Sequence, residues 1–451
     1  MKTTTNWRQK ISQFLVILLP ILLTQISLSA ISFFDTQMSG KASSSDLAGV
    51  AIGSSLWFPI QTGLAAILMG ITPIISNLMG AREKHKISYQ VIQALWLSLL
   101  ISGIVIGAGI LLVPEALGIM ELDANVHSIA MDYLSMLSIG IAPLFAYTVL
   151  RSFIDALGQT RISMIITFMM FPINVGLNYL FIFGKWGFPR LGGAGAGLAT
   201  GITYWCVLII ALWFVKRKAP FSSFQLFAKM PKASFRAWKE LLKIGIPIGF
   251  ATFFETAVFA AVTILMSQFD TITIAAHQAA INFASTLYMI PLSICMALTI
   301  LVGFEKGAGR MKDAKQYAVM GVGLAVALSL LTAVILIVAG RQVAGIYSNE
   351  ADVIELIQQF LVYAIFFQIS DALATPVQGV LRGYKDVNPA FVITFIAYWV
   401  IGLPVGYILA NYTDWGAFGY WIGLITGLAI GAILLLRRWL QLQRQFSRVQ
   451  L

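Results

Sequence analysis

The chain has 451 residues, of which 59% are hydrophobic and 11% charged. An ordinary soluble domain carries about 25% charged residues, so this composition excludes a soluble globular protein and places the chain in a membrane. The formal charge of +11 invites a nucleic-acid reading, which the placement of the cations removes below. Cys206 and Cys295 both lie in apolar runs and read as small buried residues, not as a disulfide or a metal pair. Three histidines are too few for a histidine-rich metal centre.

Runs almost free of charge fall at 11–34, 47–79, 87–114, 133–150, 162–184, 191–215, 244–269, 271–304, 316–340, 356–381, 387–413 and 415–436. Each exceeds the length needed to cross a hydrocarbon core about 30 Å thick. Lipid offers no partner to an unpaired backbone group, so all twelve are predicted to be helices. The first run follows Lys2, Arg8 and Lys10 as a signal peptide would, but it lacks a clear cleavage site and leads at once into a second span. It is read as an uncleaved first helix.

With the N-terminus inside, 26 of the 30 Lys and Arg residues fall on the inner side, and only Lys41, Lys185, Arg190 and Arg341 lie outside. This is the positive-inside pattern. The basic excess is topological, nucleic acid is not needed to explain it, and both termini are expected in the cytoplasm.

The sequence also repeats itself. Aligning Pro20 with Pro247 lays 46–81 over 273–308 at an offset of 227, with Leu47-Ala48 on Ile274-Ala275 and Gly80-Ala81 on Gly307-Ala308. Further on, Val149-Leu150-Arg151 is matched to Val380-Leu381-Arg382, and Gly193-Ala194-Gly195 to Ala417-Phe418-Gly419. Six spans per half is an even number, so the halves share one orientation and form parallel repeats about an axis along the membrane normal. The expected organisation is an N-terminal lobe over 1–215, a basic cytoplasmic connector over 216–243 and a C-terminal lobe over 244–451. Pro20 and Pro247 are the repeat-related pair of hinge candidates.

Polar residues inside the spans fall on helix faces. Gln368, Asp371, Thr375 and Gln378 share a face of span ten, and Gln278, Asn282 and Ser285 a face of span eight with Tyr288 close by. Thr167, Asn174 and Asn178 line span five, and Gln25, Ser29, Ser32 and Thr36 form a stripe in span one that ends beside Asp35. Interhelical hydrogen bonds explain most single Ser, Thr and Asn residues. The carboxylates are harder to explain. Glu255 alone interrupts the seventh span and Asp371 the tenth, at a cost of roughly 2.5–3.5 kcal/mol for an acid at a helix centre. No Lys or Arg lies deep in a span, so a buried salt bridge is not expected to account for either. An uncharged acid bonded to a neighbour is one reading. The other is function: such an acid can take up a proton, bind Na⁺, or attract an organic cation, and competition among these is the basis of exchange. Asp35, at the outer end of the first run, reads equally as an exposed loop acid.

Several of these segments resemble one family. "FFDTQMSG" (33–40), "PIGFATFFE" (247–255), "AAHQAAIN" (275–282) and "QISDALATPVQGVLRGYKD" (368–386) are similar to segments of the multidrug and toxic compound extrusion (MATE) transporters, nearest the NorM-like branch, over about residues 14 to 440. The resemblance implies an all-α integral membrane protein of twelve helices in two six-helix lobes arranged as a V. It implies export of lipophilic, often cationic drugs in exchange for Na⁺ or H⁺, by a bacterial inner-membrane protein taken to act as a monomer without a cofactor. It matches Glu255 and Asp371 to cation-site carboxylates, with Na⁺ there as the hypothesis, and Asp35 to the N-terminal lobe acid. Asn174, Asn178 and Thr200 become its neighbours, and Gln278 and Tyr288 path-lining residues. Two departures stand out. Phe366 and Phe367 occupy the place where some relatives have tyrosine, so Phe367 becomes a path candidate. Asparagines in span five replace a second acid, which favours Na⁺ at the C-terminal lobe over a purely proton-driven N-terminal mechanism.

The rival within transport is a flippase for a lipid-linked saccharide, for which basic cavity residues would be expected. The rival from another class is a membrane enzyme, resting on His127 and Asp132 of "HSIAMD". That match is weak and has no nucleophile or phosphate-binding motif to support it, so no enzyme is expected.

Overall fold

The computed structural model describes residue 1 and residues 3–449. Among them are twelve helices long and apolar enough to cross a membrane: α1 (Trp7–Ala42), α2 (Ser44–Gly80), α3 (Lys84–Ile119), α4 (Ala124–Ala156), α5 (Thr160–Phe183), α6 (Gly193–Arg217), α7 (Phe235–Gln268), α8 (Thr271–Gly307), α9 (Met311–Tyr347), α10 (Ala351–Gly383), α11 (Val387–Tyr412) and α12 (Ala417–Phe446). No strand occurs among the described residues. Most helices outrun the charge-free segments that predict them, because the backbone ladder continues into turns carrying Arg8, Lys10, Lys41 or Asp313. Charge limits the apolar span but does not end a helix.

Several helices are irregular along their length, α9 at Ala339 among them. In α2 the helix breaks at Gly70, just before Thr72-Pro73. A Cβ at Gly70 would come within 2.7 Å of Gly245 Cα, so the two backbones meet there. In α4 a 3₁₀ turn covers Ser138–Gly140. In α11 a π-helical stretch covers Ile396–Gly402, directly before Leu403-Pro404. Such wide turns often mark functional positions.

The chain divides into two compact units, Met1–Thr3 with Leu15–Gly249 and Thr4–Phe14 with Phe250–Leu451. The repeat-related helices α1 and α7 each contribute their first turns to one unit and the remainder to the other. In the second unit Lys10 Nζ pairs with Asp313 Oδ1 at 2.7 Å, and Thr4 Oγ1 meets the Tyr317 hydroxyl at 3.2 Å. In the first unit Gly245 and Gly249, either side of Pro247, lie against Ile67. Pro20 and Pro247 both sit inside continuous helices.

The basic connector 216–243 is no free tether. Phe221, Leu226 and Leu241 are buried in the core of the first unit with Ile87, Val91 and Phe153. Fully buried Gln93 on α3 donates to Lys232 O and accepts from Ser234 N, both at 2.8 Å, and its carbonyl accepts from Trp238 Nε1 at 3.0 Å.

The structure confirms the repeat and corrects its register. After α4 the amides of Leu157, Gly158 and Gln159 bond to Phe153, Asp155 and Ile154. After α10 those of Tyr384, Lys385 and Asp386 bond to Val380, Arg382 and Leu381. Left-handed Gly158 and Lys385 mark the same point, 227 residues apart. The match of Arg151 to Arg382 is therefore one helical turn out of place: Arg151 stands where the second unit has Gln378, and Asp155 where it has Arg382.

Two outcomes follow from this packing. Gln93→Leu removes the bonds to Lys232 O and Ser234 N at about 0.5–1.5 kcal/mol each, and limited proteolysis should cut within 216–243 several-fold faster than in wild type. Gly379→Ala places a Cβ 2.3 Å from Cys295 O. Backbone cannot yield as a flexible side chain would, so α8 and α10 must separate at about 1–3 kcal/mol, and the melting temperature of the purified protein should fall by several degrees.

Candidate functional site

The second unit gathers Glu255 and Asp371. Helices α8 and α10 are pressed together because Gly379 lies on Cys295 and Gly383 on Val302, with Thr299 Oγ1 donating to Gly379 O at 3.2 Å. Small residues at such contacts let transmembrane backbones approach closely. On the polar face of α10, Thr375 Oγ1 donates to Asp371 Oδ1 at 2.8 Å, one turn apart as the sequence spacing predicts. Asp371 is 4% exposed, and its Oδ2 is buried with no hydrogen-bond partner. Gln378, 3% exposed, donates Nε2 across to Glu255 Oε1 on α7 at 2.5 Å. Gln378 stands two turns from Asp371 on the same helix, so its bond to Glu255 brings both acids into one polar cluster, while Tyr288 on α8 is half-buried.

Three further residues at this cluster were not singled out as site residues from the sequence. Tyr398, 6% exposed, is within electrostatic reach of Glu255, Asp371 and Tyr288. It sits in the π-helical stretch of α11, and neighbouring Trp399 donates Nε1 to Phe254 O at 3.0 Å, fixing α7 beside Glu255. Arg382 Nη2 donates to Gln378 Oε1 at 3.4 Å. No ion pair to Glu255 or Asp371 occurs among the described residues, as the sequence leads one to expect, and Arg382 reaches Glu255 only through Gln378. Arg382 reaches inward from the end of α10 with the long arm that lets arginine act away from its backbone.

The first unit builds a cluster around Asp35, which lies inside α1 and is half-buried, not on a loop. Its Oδ1 accepts from Asn178 Nδ2 at 2.5 Å and its Oδ2 from Thr200 Oγ1 at 3.4 Å. Asn178 also donates to Asn174 Oδ1 at 3.1 Å. Both asparagines are fully buried, and Asn178 Oδ1 and Asn174 Nδ2 have no hydrogen-bond partner. Tyr133 and Tyr204 stand within electrostatic reach of Asp35. Glycines on α6 make this possible: a Cβ at Gly197 would meet Tyr133 O at 2.3 Å. Each unit thus surrounds carboxylates with amides, hydroxyls and tyrosines, all oxygen-rich donors suited to a hard cation or a proton.

Other sequence candidates fall elsewhere. Phe367 is 4% exposed and packs edge-on against Phe259, in the unit's apolar core. Gln278, Asn282 and Ser285 are exposed, with Asn282 accepting from Tyr347 at 3.2 Å. Both cysteines are free, Cys295 buried and Cys206 partly so.

Comparison with known proteins agrees with this arrangement. The MatE family model matches residues 20–180 and 247–408, two segments that begin 227 residues apart. The chain is 57% identical over 450 residues to the probable multidrug resistance protein NorM of Bacillus subtilis (strain 168), covering 100% of each chain. It is 52% identical over 445 residues to the protein of the same name in Oceanobacillus iheyensis, covering 99% of this chain and 100% of the other. Among solved structures, the Vibrio cholerae MATE transporter VcmN in its bent form matches at a TM-score of 0.86 and 18% identity, covering 98% of each chain. The eukaryotic MATE transporter AtDTX14 matches at 0.85 and 19%, covering 98% of this chain and 99% of that one. A family model spanning both repeats and full-length relatives above half identity show that the chain belongs to the MatE family of multidrug and toxic compound extrusion transporters, in its NorM-like branch, as a multi-pass membrane protein.

Proposed function

We propose that this protein exports lipophilic, often cationic compounds in exchange for Na⁺ or H⁺, alternating between inward- and outward-open states with both termini in the cytoplasm of a bacterial inner membrane. The observation that carries the reading is Asp371 Oδ2, a buried carboxylate oxygen without a partner, beside a second acid whose one oxygen is already held by Gln378. Leaving a buried charge unmatched is costly. A site built this way is relieved by any cation that reaches it.

In the cycle we infer, a cation arriving from outside neutralises Glu255 and Asp371 and favours the state that releases the compound outward. A cationic compound entering from the cytoplasm meets the same demand for positive charge and favours the return. Each ligand shifts the equilibrium only by its differential affinity for the two states. Na⁺ at the second unit is the preferred assignment, because Asn174 and Asn178 leave Asp35 as the single acid of its cluster.

The test is efflux of ethidium from proteoliposomes after an external Na⁺ jump at fixed pH, or an acid jump without Na⁺. Acceleration by Na⁺ that falls at least about tenfold in Asp371→Asn and Glu255→Gln, a loss of about 1.4 kcal/mol or more of coupling, is the expected result. Acceleration by acid alone assigns the coupling to protons, and Asp35→Asn should then abolish it as well. A wild type indifferent to both cations contradicts the proposal. Asp371→Asn should keep its melting temperature within about 3 °C of wild type, because the amide removes a buried charge without opening a cavity.

A further inference from the structure

Aligning the repeats at the offset of 227 that their turns share exposes an asymmetry. In the first unit Arg151 on α4 donates Nη2 to Gln25 Oε1 on α1 at 3.3 Å. One turn on, its Nε faces Asp155 Oδ2 at 3.6 Å, and Asp155 Oδ1 accepts from Ser163. Arginine and carboxylate are neighbours, and the acid takes a hydrogen bond on one oxygen and an ion-pair contact on the other. In the second unit the same two positions hold Gln378 and Arg382. Gln378 again donates across to the paired helix, now to Glu255 on α7. Arg382, one turn on, binds the far end of that glutamine at 3.4 Å.

The ion pair of one unit has thus become a guanidinium–amide–carboxylate chain in the other. Among the described residues no ion pair joins Arg382 to Glu255 within 4.0 Å. Asp386, four residues on from Arg382, is held in a two-pronged pair by Arg438, with contacts of 2.7 and 2.9 Å. Arg382 instead bonds Gln378, which in turn holds Glu255.

We propose that Arg382 is a positioning and affinity-setting residue for cation exchange: through Gln378 it fixes the Glu255 carboxylate and weakens the cation's hold there so that the cation can leave. The inference rests on the exchange reading above. A fixed positive charge near a carboxylate opposes a second positive charge arriving at the same place, more strongly in a low dielectric than in water. The amide between them keeps the two from collapsing into a closed pair, which would exclude the cation altogether. Gln378 also donates directly to Glu255 Oε1, so the bridge orients the carboxylate as well as carrying the charge.

The test compares the concentration of coupling cation that half-saturates ethidium efflux in wild type, Arg382→Gln, Arg382→Lys and Gln378→Leu proteoliposomes. Tryptophan fluorescence of the purified proteins, titrated with the same cation, supplies a binding curve that does not depend on turnover. Arg382→Gln should half-saturate at a concentration at least about fivefold lower, with the maximal rate reduced as release slows. Arg382→Lys, which keeps the charge, should remain near wild type. Gln378→Leu should move the same way as Arg382→Gln, because the donor occupying Oε1 is gone, and it serves if Arg382→Gln does not fold. A half-saturation unchanged or raised in folded Arg382→Gln and Gln378→Leu overturns the inference while the exchange reading stands. A wild type that responds to neither cation overturns the exchange reading first, before any variant is compared.

Discussion

The hydrogen bond from Gln378 to Glu255 ties together the two helices on which the second unit's chemistry depends. It exists because a carboxylate in a helix bundle bounded by lipid must find donors within the protein. One glutamine serves one oxygen of Glu255, and one threonine serves one oxygen of Asp371. Neither donor cancels a charge. What remains is a small polar site that is short of a positive charge, which the proposed exchange would supply.

The packing that creates this shortage is backbone on backbone. Gly379 on Cys295 and Gly383 on Val302 bring α8 against α10. The π-helical stretch of α11 turns Tyr398 and Trp399 toward the same place, and the indole bond to Phe254 O holds α7 in register. The first unit reaches a similar arrangement around Asp35 with different residues. Glycines on α6 let Thr200 and Tyr204 approach Asp35, and asparagines from α5 complete the shell. The repeats share a scaffold, while their charges are distributed differently. Arg151 is spent on Asp155 in one, and Arg382 is held off Glu255 by a glutamine in the other.

The spans were legible in the sequence because lipid forbids scattered charge, and the repeat because its offset of 227 persists through turns that a helix pair requires. Asp371 with Thr375 was legible from a spacing of one turn on a single helix. The partnership of Glu255 with Gln378 was not, since hydropathy does not say which faces of two helices meet. Arg382 was counted as one more inner-side cation, and only its reach along α10 reveals its second role. Tyr398 and Trp399 were hidden among aromatic residues that mostly fill and anchor spans, and a π-helical turn leaves no clear mark in residue pattern. Phe367 shows the converse. The resemblance placed it on a path, but an apolar ring one turn before Asp371 packs better into the core with Phe259 and Trp421.

The central claim is that transported compound and coupling cation compete for the same carboxylates. Its most direct test is the affinity of purified protein for ethidium, measured by fluorescence across a grid of Na⁺ concentration and pH. The account predicts that the apparent Kd for ethidium rises with one of the two cations, and that this dependence vanishes in the Glu255→Gln, Asp371→Asn double variant. An ethidium Kd in the wild-type protein that is flat across both cations would contradict it.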